Sequence, residues 1–167
     1  MDTEPLRQLY RNYQNEIYLY LYSLCHNREL AQDLTQETFL KAILSLPNDH
    51  VNVRAWLYLV SRNLYLNHFN REKRLVPLEE IESFSADNTA AWLDHLIRDE
   101  QKQLLYQALQ HLPERQREIL LLHYFSGLSL KEIAAILKQT PENIRVQAYR
   151  GKKELKQYME VHDHDLS

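Results

Sequence analysis

Apolar side chains recur with a helical period along almost the whole chain, and the stretches where that period fails are short. Residues 4–25 place Leu6, Leu9, Tyr10, Tyr13, Ile17, Tyr20, Leu21 and Leu24 at helical spacing, which predicts an amphipathic first helix. Asn27 is positioned to cap a second helix that runs to about Leu46 and stops before Pro47. The polar segment 47–53 reads as a loop, and a third long helix runs from Arg54 to about Arg74. Residues 75–90 mix acids with Ser, Asn and Thr without periodicity, which predicts a linker. The helical pattern resumes near Trp92 and continues to Leu112, where Pro113 breaks it and opens a further helix that Gly127 terminates.

Residues 129–155 carry the clearest local punctuation. Ser129 caps one helix, and Glu132, three residues on, completes a capping box. Thr140 caps the next, with Pro141 at the first helical position, where a missing N–H costs nothing. Ile133, Ala134 and Leu137 form the buried stripe of the first helix, while Ile144, Ala148, Gly151 and Leu155 share one face of the second. That leaves Asn143, Arg145, Gln147, Tyr149, Arg150 and Lys152 on the outer surface, side chains that bond base edges and phosphates in a major groove. The same pattern also describes an ordinary helical hairpin with a solvated basic face.

Composition narrows the class. Two glycines in 167 residues exclude phosphate-cradling loops and dinucleotide fingerprints, and abundant Leu, Gln, Glu and Lys point to an all-α fold. The organisation expected is two small helical domains, residues 1–74 and 91–160, joined by a flexible acidic linker at 75–90. Cys25 is the single cysteine, so no internal disulfide forms, and neither Cys25 nor His26 has a partner at metal-ligand spacing. The tail HDHDLS (162–167) reads as a solvated terminus, and no metal or cofactor is expected. With no signal peptide and no apolar run near membrane-spanning length, a cytoplasmic protein without membrane insertion is expected.

The net charge of −3 is unevenly spread. Residues 54–74 hold Arg54, Arg62, Arg71, Lys73 and Arg74 against Glu72 alone, and residues 141–156 are also basic. Residues 79–100 between them are strongly acidic. Salt screens charge over roughly 8 Å, so a local basic patch attracts phosphate whatever the total charge.

Three segments, in this order, resemble the bacterial sigma-70 family, specifically its small extracytoplasmic-function (ECF, group 4) members. AQDLTQETFLKA (31–42) is similar to the family's region 2.2, and RAWLYLVSRNLYLNHFNREKR (54–74) to regions 2.3 and 2.4. LLYQALQHLPERQREILLLHYFSGLSLKEIAAILKQTPENIRVQAYRGKKEL (104–155) is similar to region 4. The resemblance implies an ECF-type sigma factor, not an enzyme, that binds core RNA polymerase and directs promoter recognition and transcription initiation. Its first domain would bind polymerase and melt the −10 element, and its second would hold the −35 element. An anti-sigma factor is the implied regulatory partner, beside polymerase and promoter DNA.

The resemblance also implies roles for residues. Asp33, Gln36 and Glu37, with Phe39 beside them, would dock on core polymerase; read without it, they are a solvated helix face. Asn48, His50 and Asn52 in the preceding loop are pocket candidates for a flipped −10 base. Arg54, Arg62, Asn63, Asn67, Arg71, Lys73 and Arg74 would contact the −10 strand. Unstacking bases needs aromatic platforms and cations, and Trp56, Tyr58, Tyr65 and Phe69 interleave with these basic residues, although helical aromatics are commonly core and Trp56 is expected to be largely buried. Thr140, Asn143, Arg145, Gln147, Tyr149, Arg150, Lys152 and Lys153 would contact the −35 element.

Three positions depart from the family's habit. Lys138 stands where the turn often has glycine, Gln147 where a basic residue is usual, and Gly151 lies on a buried helix face, as close packing against the preceding helix would explain. Two other classes fit parts of the chain. A sigma-mimic adaptor that binds an anti-sigma factor without DNA would lack the exposed Arg145, Arg150, Lys152 and Lys153, and is usually attached to a receiver domain for which this chain has no room. A lone helix-turn-helix regulator would leave residues 31–74 without a purpose.

Overall fold

The computed structural model describes residues 4–45, 52–75 and 96–163, with side chains described for 4–45, 52–71 and 96–161. Asn48, His50, the expected linker from residue 76 on, the resumption near Trp92, the side chains of Lys73 and Arg74, and the side chains of the 162–167 tail lie outside the described residues. Every regular element among the described residues is helical. The chain divides into two compact units, Met1–Ser85 and Ala86–Ser167.

In the first unit, α1 spans Glu4–Cys25, α2 Arg28–Ser45 and α3 Val53–Leu75. The two interior helix starts are set by asparagine caps. Asn27 Oδ1 accepts from Leu30 N at 3.1 Å and Asn52 Oδ1 from Ala55 N at 3.2 Å, each satisfying a backbone donor that a helix start leaves open. The α1–α2 corner turns through His26 at φ 55, a left-handed conformation usually left to glycine. Because α1 packs against both α2 and α3, its C-terminal half is buried on more than one face: Leu19, Tyr22 and Ser23 are covered as well as Ile17, Tyr20, Leu21 and Leu24. Tyr20 meets Tyr58 edge to face at 5.1 Å between centroids. The Tyr58 hydroxyl donates to Glu16 Oε1 at 3.1 Å and the Tyr65 hydroxyl to Leu24 O at 3.2 Å, so both buried phenols have partners.

In the second unit, α4 spans Glu100–Leu109, α5 Glu114–Leu120, α6 Leu130–Leu137 and α7 Pro141–Asp163. Where the expected helix from Trp92 to Leu112 can be seen, it is interrupted after Leu96 and ends early, at Leu109. Residues 97–99 are not helical, because Asp99 adopts an extended backbone and its carboxylate accepts from Gln101 N and Lys102 N, starting α4 at Glu100. Beyond Leu109 the chain tightens: the N–H groups of Gln110, His111 and Leu112 bond the carbonyls three residues back, and Leu112 tucks into the core. After Pro113, α5 leads into a π-helical turn at Leu121–Phe125, closed by Ser126 N donating to Leu121 O at 3.0 Å. Leu120, Leu121 and Leu122 are all fully buried, and Gly127 at φ 76 ends the run as expected.

Candidate nucleic-acid interface

Helices α6 and α7 are joined as the sequence predicts. Glu132 N donates to Ser129 Oγ at 3.1 Å and Ser129 N to Glu132 Oε1 at 3.0 Å, completing the capping box. Ile133, Ala134 and Leu137 are buried, together with Ile136. α6 ends on Lys138 at φ 56, ψ 45, so the lysine adopts the left-handed shape in place of glycine and the turn keeps its form at a cost of about 1–2 kcal/mol. Thr140 Oγ1 then accepts from Asn143 N at 3.1 Å, capping α7 behind Pro141.

One face of α7 is held down by Ile144, Gly151 and Leu155, with Ala148 half-buried. A Cβ on Gly151 would stand 3.1 Å from Gln116 Cβ and 3.1 Å from Leu120 Cδ1. The close approach is therefore to α5, two helices back, and not to the adjoining α6. Asn143, Arg145, Arg150, Lys152 and Lys153 are exposed, and Tyr149 is 61% exposed. Gln147 is half-buried, nearer the packed face than the sequence pattern places it. Two outward residues were missed. At 3.6 residues per turn, Glu142, Val146, Tyr149 and Lys153 follow one ridge opposite the buried face, and Val146 is 45% exposed. The signal was available, since the buried period itself puts Val146 outside. Lys153 Nζ lies 5.0 Å from the Tyr149 ring centroid, which steadies the cation on the ridge. Among the described residues, Arg145, Arg150, Lys152 and Lys153 form no ion pair.

On α2, Asp33, Gln36 and Glu37 are exposed, and Leu40 and Leu44 continue the same ridge as exposed apolar residues. Phe39 departs from that face: it is 6% exposed and packs edge-on against Tyr10 at 5.0 Å. On α3, Asn63, Asn67 and Arg71 are exposed and Arg62 is half-buried. Asn70 is exposed beside them and was also missed. Of the four aromatics, Tyr58 and Tyr65 are core, Phe69 is exposed, and Trp56 is mostly but not completely covered, in keeping with the expectation. Trp56 shares the ridge of Asn63 and Asn67, about two and three turns further along, so it lies beside the polar row. Asn52 spends its side-chain carbonyl on the α3 cap. Arg54 Nε lies 3.2 Å from Glu16 Oε1, and its guanidinium stands over the Tyr13 ring at 5.4 Å, so its charge is largely committed within the unit.

Burial pushes the Cys25 thiol above its ordinary range, and the sulfur donates to Asn27 O, so the protonated form is favoured. No group of His, Cys, Asp and Glu among the described residues is arranged to hold a metal ion, and no described helix is long and apolar enough to cross a membrane.

These observations define a class: a two-unit helical protein, with a helix-turn-helix in its second unit and a polar, aromatic and basic helix in its first. Comparison with known proteins narrows the class. Sigma-70 region 2 matches residues 9–75, and sigma-70 region 4 matches residues 102–155. The ECF RNA polymerase sigma factor SigM of Bacillus subtilis is 30% identical over 151 residues, covering 89% of this chain and 91% of that one. RNA polymerase sigma factor YlaC of the same organism is 30% identical over 163 residues, covering 93% and 92%. The sigma factor RpoE of Bartonella quintana, solved with the anti-sigma factor NepR, aligns over 95% of this chain and 98% of its own at a TM-score of 0.68 and 22% identity. CnrH, solved with the cytosolic domain of CnrY, aligns at 0.61 and 20% over 96% and 90%. The chain belongs to the sigma-70 family, among its ECF sigma factors. It is thus a transcription initiation factor and not an enzyme.

Proposed function

We propose that this protein binds bacterial core RNA polymerase in the cytoplasm and directs initiation at promoters with two elements, each read by one of its units. Residues 1–74 form the polymerase and −10 module, 75–90 the tether and 91–160 the −35 module. The observation that carries this reading is the exposed ridge of α7. Arg145, Arg150, Lys152 and Lys153 stand outward without acidic partners among the described residues, flanking Asn143, Val146 and Tyr149. Cations at the flanks hold phosphates, and amide, methyl and aromatic groups between them meet base edges.

In the first unit, Asp33, Gln36 and Glu37 dock on a basic surface of core polymerase, while Phe39 fixes α2 on α1 and acts only through that packing. Asn63, Asn67 and Arg71, with Arg62, Lys73 and Arg74, run along the −10 strand, and Trp56 and Phe69 are the accessible aromatic platforms. Asn48 and His50 remain the pocket candidates, and Asn52 sets the start of the helix beside them. Arg54 serves mainly to tie α3 to α1 through Glu16. An anti-sigma factor is the natural regulator, since RpoE was solved with one.

Run-off transcription on a genomic fragment library, with core polymerase and with or without this protein, tests the proposal. New discrete start sites preceded by a shared two-part element are the expected result. Binding to core without new transcripts would instead make the chain an adaptor.

A further inference from the structure

Gln139, in the turn between α6 and α7, bonds the side chain of a base-reading candidate. Asn143 Nδ2 donates to Gln139 Oε1 at 2.7 Å. Asn143 is also fixed through its backbone, whose N–H donates to Thr140 Oγ1 at 3.1 Å. Gln139 in turn is anchored behind the left-handed Lys138, with its own N–H donating to Ala134 O at 3.0 Å. It is half-buried, whereas Asn143 is exposed in the first turn of α7, the part of a recognition helix that enters the major groove.

A carboxamide carries two N–H donors and one carbonyl acceptor. With one N–H held by Gln139, Asn143 keeps one N–H and its carbonyl oxygen for a ligand. Adenine offers the complement in the major groove, accepting at N7 and donating from N6. An unrestrained asparagine can swap its donor and acceptor by rotation about χ2. In this arrangement Gln139 Oε1 accepts from the amine end of Asn143 and leaves the second N–H and the carbonyl oxygen for a ligand, so much of the ordering cost of that rotamer is met before DNA arrives.

We propose that Gln139 is a positioning residue that presents Asn143 for two-point recognition of one adenine in the upstream promoter element. This rests on α7 being the −35 reader. A bond that merely stabilised the start of α7 would affect all DNA sequences alike. A positioning bond changes selectivity at one base pair.

The test uses the full chain with bacterial core RNA polymerase, transcribing a promoter library randomised across the upstream element, with transcripts counted by sequencing. Wild-type holoenzyme selects adenine at one position, and Asn143→Ala lowers that selection by roughly 5- to 150-fold, the range of a two-point base contact. Gln139→Ala lowers it at the same position by about twofold to tenfold, as for one lost hydrogen bond, and leaves neighbouring positions unchanged. Gln139→Met, which keeps the stem without the acceptor, gives the same result should the alanine variant fold poorly. Gln139→Glu keeps an acceptor oxygen and so retains the adenine preference, while its charge weakens all sequences equally. An even loss across sequences in Gln139→Ala and Gln139→Met, or an undiminished adenine preference in both, overturns the proposal. So does the absence of any adenine preference that depends on Asn143. The broader reading fails separately: it falls if Arg150→Ala leaves transcription from promoters carrying the upstream element undiminished.

Discussion

Replacing Gly151 with alanine tests how α7 is seated. In an open helix the change stabilises by about 0.5–1 kcal/mol, because glycine gives up more backbone freedom on folding. Here the new Cβ would meet Gln116 Cβ and Leu120 Cδ1 at 3.1 Å each. Carbon atoms pack best at about 3.5–4.0 Å, so both neighbours must retreat by several tenths of an ångström. Neither retreats easily. Leu120 is fully buried, and Gln116 Cβ is attached directly to the α5 backbone, so relief requires the two helices to slide apart. Overpacking of this kind costs about 1–3 kcal/mol, which offsets or exceeds the propensity gain and leaves a net loss of up to about 2.5 kcal/mol. Gly151→Val adds two more carbons and costs more still. A whole-chain melting curve would mix the two units, so the measurement is hydrogen exchange of α5 and α7 amides, which reports local stability. Faster exchange in Gly151→Ala, and faster again in Gly151→Val, is expected. Slower exchange by the full propensity gain would refute the close approach and, with it, the explanation of why a helix interior carries glycine here.

Other perturbations probe separate links. Lys138→Gly removes the left-handed strain of about 1–2 kcal/mol and adds a glycine entropy cost of about 0.5–1, so α6 and α7 should exchange more slowly by up to about 1.5 kcal/mol; faster exchange contradicts the strain assignment. Asp33→Arg combined with Glu37→Arg should abolish co-elution with core polymerase while leaving helix content intact, and unchanged co-elution would remove α2 from that interface. Arg150→Ala should weaken use of the upstream element without loss of polymerase binding, as measured by transcript yield from promoters carrying the element and by co-elution; equal loss of both would break the division of roles. Burial raises the Cys25 thiol, so the fold favours its protonated form. That contribution is complete below the unfolded thiol value of about 8.5 and is lost as pH rises through the folded value. Exchange protection of α1 and α2 should therefore fall from about pH 8 upward, and less so in Cys25→Ala; identical pH profiles would sink the argument.

What was legible in the sequence was mostly short-range. Asn27, Ser129 with Glu132, and Thr140 each act on a donor within three residues, so residue type and spacing sufficed to place three helix starts. Asp99 does the same for α4 but sits in an acidic run where one carboxylate does not stand out. The end of α4 was overrun because Leu112 is buried from a tightened turn, continuing the apolar period after the helix has stopped. Three consecutive leucines carry no mark of the π-helical turn that lets them all be buried. At the sites, the misses came from tertiary partners. Phe39 is taken inward by Tyr10, and Arg54 is taken by Glu16, both from α1. Val146 was passed over because it is apolar, although the period of its own buried neighbours places it outside.

The charge distribution bears on how selectivity arises. If Arg145, Arg150, Lys152 and Lys153 each neutralise one phosphate, binding through α7 should weaken with salt at a logarithmic slope of about −3 to −4. Proteins making several more contacts reach only weak nonspecific affinity at physiological salt, so four cations on a chain of net charge −3 give little binding to free DNA. Held on polymerase, the same ridge meets DNA at an effective concentration set by the assembly, and contacts too weak to hold the free protein become selective. The free chain should therefore discriminate poorly among duplexes in a mobility-shift assay, while the holoenzyme discriminates well at the same salt. Strong, sequence-selective binding by the free chain would mean that α7 acts as an independent regulator and that the acidic balance of the chain does not restrain it.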